Sequence, residues 1–270
     1  PTDDLYLTIA NTIKKIHMDN MDDSSDQCDI LVFLPGEGEM NMAQKEIESQ
    51  LSLKNDGKDE LIILELSSSV VNKTGKYAEI NLLEQIKDYT LEELRKEYKN
   101  PNIKRRIILA TNVAESGVTI NTLKYVLDSG IVRVVEYNPI EDCSIIYKKP
   151  APQSSIKQRR GRVGRKFDGY YYAMYDKETY ERCDLFLLPD IYSKNINRML
   201  LDILNSNIGE NNSLNFDNLD DIKIPKMLDP FSTDSIYIGL NKIKLLYSDV
   251  QFNIISGLES SGNLLQIVAK

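Results

Sequence analysis

Continuous apolar runs of four to six residues recur along the first two thirds of the chain, separated by stretches with apolar residues at helical spacing. Ile30-Leu31-Val32-Phe33-Leu34 ends in Pro35-Gly36, and Leu61 to Leu66 is interrupted only by Glu65. Arg106 to Ala110 and Tyr125 to Asp128 follow. Runs without alternation predict strands buried on both faces of a parallel sheet. Ahead of them, Leu5, Leu7, Ile9, Ile13 and Ile16 predict an amphipathic helix over 4–18, with Asp3 or Asp4 as its N-cap. Further helices are predicted over 37–53 and 90–99.

Residues 131–137 and 143–148 flank Asn138-Pro139-Ile140-Glu141-Asp142, the pattern of a β-hairpin with a five-residue loop. Pro150 and Pro152 then break the chain, and Gly169 to Tyr175 predicts a last strand. Strands alternating with helices give an α/β fold, an open and mostly parallel sheet with helices on both faces. This first domain is expected over 1–180. Within it, 19–27 reads as an acidic loop, and 68–102 as a polar, poorly patterned insertion or mobile segment. From 181 to 270 a small, separate domain is expected. One helical stripe is carried by Ile196, Met199, Leu200, Ile203 and Leu204, followed by a loop over 205–218. A second helix, capped by Ser232 or Thr233, carries Ile236, Ile238, Leu240, Ile243, Leu245 and Leu246, and 250–255 is β-prone.

Composition narrows the function. Of 270 residues, 41% are hydrophobic and 27% charged, ordinary for a globular chain, and no apolar run approaches the ~20 residues of a membrane span. The three cysteines are far apart and there is one histidine, so no metal-ligand pattern exists and a reducing compartment is expected. A net charge of −8 argues against general affinity for nucleic acid and makes the stretch 157–166 conspicuous. Six cations (Lys157, Arg159, Arg160, Arg162, Arg165 and Lys166) occur there with no acid among them. If Gln158 to Arg165 is helical, Gln158, Arg162 and Arg165 fall within about 60° on one face. An amide and two guanidiniums so aimed suit a polyphosphate, since forked donors match phosphate oxygens. A basic surface helix that touches nucleic acid, or nothing, fits the spacing equally well.

Three segments in order resolve that choice. Ile30-Leu-Val-Phe-Leu-Pro-Gly-Glu-Gly-Glu-Met40 is similar to motif IV of superfamily 2 helicases of the DEAH-box and viral nucleoside-triphosphatase II type. Ala110-Thr-Asn-Val-Ala-Glu-Ser-Gly-Val-Thr-Ile120 resembles motif V, with Glu115-Ser116-Gly117 where DEAH proteins tend to carry Glu-Thr-Ser. Gln158 to Arg165 reproduces the QRxGRxGR of motif VI. Leu188 to Tyr192 and Met227 to Phe231 resemble segments of the family's winged-helix domain. The resemblance covers about residues 1–255, fits poorly over 68–102, and implies a RecA-like second lobe followed by a small, truncated winged-helix-like domain. No G-x-x-x-x-G-K-[ST] and no Asp-Glu-x-His occur, so the P-loop and the Mg²⁺ ligand are expected on a first lobe in a longer protein.

Site roles follow as implications of the resemblance. Arg162 and Arg165 are the arginine fingers on the γ-phosphate, and Gln158 orients the attacking water or binds that phosphate. Arg159 and Arg160 are expected in structural ion pairs or on the surface. Gly117, Thr119 and Asp128 are candidate nucleotide contacts, with Asp128 reaching the sugar, the motif VI arginines or a helix cap. Thr111 and Asn112 in motif V, and Ser67 and Ser68 after the second strand, are candidate grips on the nucleic-acid backbone. Tyr77, Tyr89 and Tyr98 are candidates for the base-stacking aromatic. The 131–148 hairpin either separates strands or merely completes the sheet. The implied protein is an NTP-dependent helicase using ATP or another NTP with Mg²⁺, acting on single-stranded or partly duplex RNA, with DNA as the alternative. The chain alone is expected to be inactive. Its expected partner is the first lobe, its location intracellular (cytoplasm, nucleus, or virion or viral factory if viral), and no metal ligand or membrane segment is expected. A double-strand translocase lobe or a non-catalytic binding scaffold are the rivals.

Overall fold

The computed structural model describes residues 2–20, 28–53, 59–67, 86–115, 118–211 and 233–246. Five strands form one wholly parallel sheet: β1 (Asp29–Phe33), β2 (Leu61–Leu66), β3 (Arg105–Ala110), β4 (Leu123–Asp128) and β7 (Tyr170–Ala173), in the order β2-β3-β1-β4-β7. The longest unbroken apolar run sits centrally, as its lack of alternation requires. Leu31 pairs with Ile108 on one side and Val126 on the other.

The two faces are covered by different material. Ile30, Val32, Ile107, Leu109 and Leu127 face Ile9, Ile13, Met40 and Ile47 of helices α1 (Thr2–Asp19) and α2 (Glu37–Leu51). Leu31, Phe33, Ile108, Ala110 and Val126 face a second core built from Ile86, Ala114 and Val118. Helix α4 (Gln153–Arg160) packs on β4 and on a 3₁₀ turn, Asn112–Glu115. The open α/β sheet with helices on both faces is therefore present. Its amino-terminal end is closed by a buried pair: Arg106 donates from Nε to Asp29 Oδ2 at 2.8 Å, and Thr122 binds the same carboxylate. Burial leaves that pair little tolerance for loss of one partner.

Three expectations need correcting. The segment 68–102 is packed where it is described: Ile86 is buried, and α3 (Leu91–Glu97) begins with a Thr90–Glu93 capping box and buries Leu91 and Leu94 beside Cys28 and Ile103. The helix expected over 90–99 is thus present as α3. The loop expected from 205 is helical as far as Asn211, at the end of α7 (Asn197–Asn211). Once a helix is nucleated by a packed stripe, each added residue gains a hydrogen bond whatever its polarity. Finally, β5 (Ile131–Asn138) and β6 (Cys143–Pro150) form a sheet of their own, so the hairpin does not complete the main one.

The chain divides into two compact units, residues 1–134 with 148–187, and residues 135–147 with 188–270. The first contains the main sheet and, after β7, the short helix Lys177–Arg182 (α5); the second includes the short helix Asp190–Ser193 (α6). In that second unit α7 packs against α8 (Thr233–Leu246) through Ile196, Leu200, Ile203, Ile236, Leu240 and Ile243. The distal hairpin is fastened there by Lys242, whose Nζ lies 2.8 Å from Asp142 Oδ1 and donates to Tyr137 Oη at 3.0 Å. The β-prone tail at 250–255 lies outside the described residues.

Gly130 ties β4 to the hairpin root. Its φ is +69°, and a Cβ there would sit 2.3 Å from the Tyr175 ring. Gly130→Ala should therefore lose stability, about 1–2 kcal/mol from the left-handed backbone alone, with a further loss from displacing the ring. Gly38→Ala, where an added Cβ meets nothing within 4 Å, should lose none. Urea unfolding of the two variants measures the difference.

Candidate functional site

In an all-parallel sheet the carboxyl ends of the strands lie along one edge, where loops are free to carry chemistry. At that edge β3 runs into Thr111, β4 ends at Asp128, and the chain after β2 carries Ser67. Ser67 and Thr111 are neighbours across the β2–β3 ladder, where Thr111 N–H donates to Leu66 O at 3.1 Å. Both are buried; Ser67 Oγ donates to Glu37 Oε1 at 2.8 Å, and Asn112 beside them is exposed. The proposed strand-grip residues are thus brought together, while Ser68 lies outside the described residues.

The motif VI segment is laid out differently from a continuous helix. Helix α4 starts at Gln153, right after Pro152, and ends at Arg160. Residues 161–167 form turns and bends, with Gly164 at φ +75°. Two glycines and no apolar stripe give the helix no reason to continue, so the shared helical face expected for Gln158, Arg162 and Arg165 does not exist. The turn still brings the two arginines together. Arg162, Arg165, Thr119, Asn121, Lys166 and Phe167 line a recess of about 90 Å³, whereas Gln158 is exposed and does not line it.

Each arginine of the motif has a distinct environment. Arg159, 1% exposed, donates from Nε to Glu115 Oε1 at 2.8 Å and from Nη1 to Asp128 Oδ1 at 2.7 Å. It also donates to Ile131 O, and its Cζ lies 5.1 Å from the Phe33 ring centroid. Burial alone would lower its pKa, but the charges of Asp128 and Glu115 outweigh this and raise it. Arg162 donates to the carbonyl oxygens of Val118, at 3.2 Å, and Glu115. Among the described residues its buried Nε has no hydrogen-bond partner. Burial and then the Arg165 charge lower its pKa, against Glu115, as expected where positive charge is in excess. Arg165 is exposed and donates from Nε to Gly161 O at 2.9 Å.

Of the partners expected for Asp128, the structure shows a motif VI arginine. Its remaining capacity is also used: Oδ1 accepts the Gly130 N–H at 2.9 Å, and Oδ2 accepts the Tyr171 hydroxyl at 2.7 Å. Tyr171 and Tyr175 share a hydroxyl contact of 2.6 Å. Burial, with the Asp128 charge beside it, pushes the Tyr171 phenol far up, and burial pushes Tyr175 up to about 12, so both stay neutral. Thr119 is exposed at the recess, and Gly117 lies outside the described residues. Tyr77 lies outside them too; Tyr89 packs under α3, and Tyr98 is 41% exposed.

Sequence reasoning missed the tyrosine pair and a clamp at the hairpin root. Glu39, in the first turn of α2, accepts Lys148 Nζ at 2.9 Å and Arg133 Nη2 at 3.1 Å. Burial would raise the Glu39 carboxyl, but the Lys148 hydrogen bond and the two positive charges bring it below its usual value. Partners 94 and 109 residues apart leave no local signal.

Comparison with known proteins places this geometry. The family described as "Helicase conserved C-terminal domain" matches residues 43–167. The "Putative RNA Helicase B962L" of African swine fever virus (isolate Pig/Kenya/KEN-50/1950) is 32% identical over 243 residues, 89% of this chain and 24% of that protein. "ATP-dependent RNA helicase DHX33" of Homo sapiens is 30% identical over 176 residues, 65% of this chain and 22% of that protein. The crystal structure of the E. coli DExH-box NTPase HrpB shares the fold, with a TM-score of 0.63 at 20% identity over 91% of this chain and 25% of that one. The chain spans about a quarter of the length of these relatives. Among the described residues no helix is long and apolar enough to cross a membrane.

The ion-pair geometry separates the arginines by experiment. Arg159→Ala would leave Asp128 and Glu115 buried without their cation, and should cost about 3–5 kcal/mol in urea unfolding. Arg165→Ala should leave the unfolding midpoint where it is. Equal effects would contradict the division of the motif into a buried scaffold arginine and a surface-facing one.

Proposed function

We propose that this chain, similar to the helicase C-terminal family and to the RNA helicases above, is a superfamily 2 C-terminal lobe of the DEAH type that supplies the arginine fingers and one strand grip of an NTP-dependent RNA helicase. The observation that carries this reading is the fate of the motif VI arginines. Arg159 is consumed by buried carboxylates, while Arg162 and Arg165 meet at a recess with no acid in its lining.

The recess suits a phosphate group. Arg162 has an Nε without a partner among the described residues, and Thr119, Asn121 and Lys166 add donors around it. A bound nucleoside triphosphate supplies the γ-phosphate whose transfer to water drives such motors, with the P-loop and Mg²⁺ ligand on the first lobe. The part played by this chain is electrostatic. Arg162 and Arg165 place positive charge where negative charge shifts in the transition state. Gln158, exposed at the end of α4, orients water from outside the recess. Asp128 acts through Arg159, holding α4 against the sheet so that the turn carrying Arg162 is fixed.

Ser67 and Thr111, with exposed Asn112, grip the backbone of the strand without reading bases. RNA is the proposed substrate because the relatives matched are named RNA helicases. The second unit is proposed as the start of a winged-helix-like domain. Strand separation is favoured over duplex translocation by the hairpin itself: it stands outside the main sheet and presents Ile140, 83% exposed, and Ile146, 62% exposed.

In the full-length protein, Arg162→Ala should cut NTP turnover by about 10³–10⁵, the range of an isolated arginine finger. Arg162→Lys should recover little, since a point charge cannot reproduce the planar fork. Arg165→Ala should resemble Arg162→Ala, Arg160→Ala should be mild in turnover, and affinity for single strands without nucleotide should barely change in the Arg162 and Arg165 variants. Steady-state turnover and strand titrations test this together. If Arg162→Ala lost strand binding while keeping turnover, the segment would be a nucleic-acid patch and the finger assignment wrong.

A further inference from the structure

Arg160 of motif VI and Lys157 just before it have no assigned part in the reading above. Lys157 and Arg160 are three residues apart on α4 and so share a face, while Arg159 between them turns into the sheet. Both are exposed, and among the described residues neither has a carboxylate at ion-pair distance. They border a cavity of about 290 Å³ between α4 and the β7–α5 segment, which shares no lining residue with the Arg162–Arg165 recess.

The cavity has an aromatic lining and a basic rim. Tyr171, Tyr175 and Tyr180 line it beside Ile156. The hydroxyls of Tyr171 and Tyr175 are fastened to each other and Tyr171 to Asp128, which fixes their rings without adding charge. Lys177 brings a third cation; its pair with Glu181, at 3.5 Å and well exposed on both sides, is weakly held. The single acid in the lining, Asp176, is occupied as the cap of α5, accepting the Thr179 N–H at 2.6 Å. Three cations against one capped carboxylate, in a chain of net charge −8, select an anion. The aromatic rings select a flat partner, because a base of any identity has a face to stack. The volume lies at the lower end of small-ligand pockets, about 300–1,000 Å³, which suits one base with its phosphate. A phosphorylated peptide would use the cations but leave the rings without a role.

We propose that this cavity holds one base and its phosphate from a single-stranded nucleic acid, a contact separate from the Ser67–Thr111 grip and from the nucleotide recess. The proposal rests on the reading of this lobe as part of a nucleic-acid motor. Lys157 and Arg160 bind the phosphate, Tyr180 faces the base, and no sequence preference arises because no base edge is read.

The test uses fluorescein-labelled dodeca-uridylate, the same oligomer with abasic sugars, and a phosphoserine peptide, each titrated by anisotropy against the 270-residue chain at several salt concentrations. Lys157→Ala with Arg160→Ala should weaken uridylate binding about tenfold and lower the slope of log affinity against log salt by about 0.7, one single-strand phosphate. Tyr180→Ala should weaken uridylate but not the abasic oligomer, with the salt slope unchanged. An unaltered urea midpoint in each variant shows that the fold persists. If the wild-type chain binds uridylate and the double variant keeps both affinity and slope, the site is wrong and the motor reading stands. If the wild-type chain does not bind uridylate at all, both fall. A phosphopeptide that binds more tightly than uridylate and depends on Lys157 and Arg160 overturns the nucleic-acid assignment in favour of a protein ligand.

Discussion

The buried contact of Arg159 with Asp128 and Glu115 is the constraint on which the functional edge depends. It joins three pieces of chain distant in sequence: helix α4, the end of β4, and the turn after β3. Taking three charges out of water is costly, and full hydrogen bonding is what makes the arrangement tolerable. Arg159 meets that demand by spending its donors on two carboxylates and the Ile131 carbonyl. With α4 so fixed, Gly161 and the following turn have one place to go, and Arg162 reaches the carbonyls of the motif V segment from it.

What could be read in the sequence was whatever rests on local pattern. The apolar runs at 30–34, 61–66 and 106–110 became strands because a double-faced burial leaves an unbroken run, and the hairpin followed from its turn residues. The spacing of motif VI singled out Arg162 and Arg165, and both line one recess. The helical projection that seemed to explain them was mistaken, since glycines at 161 and 164 end the helix; a turn brings the same residues together by another route. Partnership across the sequence was not legible. Nothing near Arg106 announces Asp29 and Thr122, and nothing near Glu39 announces Arg133 and Lys148, because such pairs are set by the register of strands and the placement of a helix. Tyr171 and Tyr175 were visible only as a strand rich in tyrosine, which says that a position is half-buried and not what its hydroxyl meets.

The hairpin carries exposed apolar side chains on a backbone whose position is fixed by ion pairs. Its root is held by Glu39 through Arg133 and Lys148, and its distal part by Lys242 through Asp142 and Tyr137. Ionic fastenings of this kind fix a direction while leaving Ile140 and Ile146 in solvent. An apolar fastening would have buried those same side chains.

The order of residues around Arg159 also bears on how the lobe is made. A ribosome delivers Glu115 and Asp128 first and their cation only 44 and 31 residues later, at position 159. Until then β4 cannot bury its end in the final form, because two carboxylates would enter the interior uncompensated. The nascent sheet can assemble β1, β2 and β3, whose own buried pair of Asp29 and Arg106 is complete by that stage. Its far side is charge-balanced only with α4 present, and β7 follows α4 in the chain. The arginine that fixes α4 against the sheet is thus also the group that completes the charge balance at the end of β4, and it enters the chain only with α4 itself.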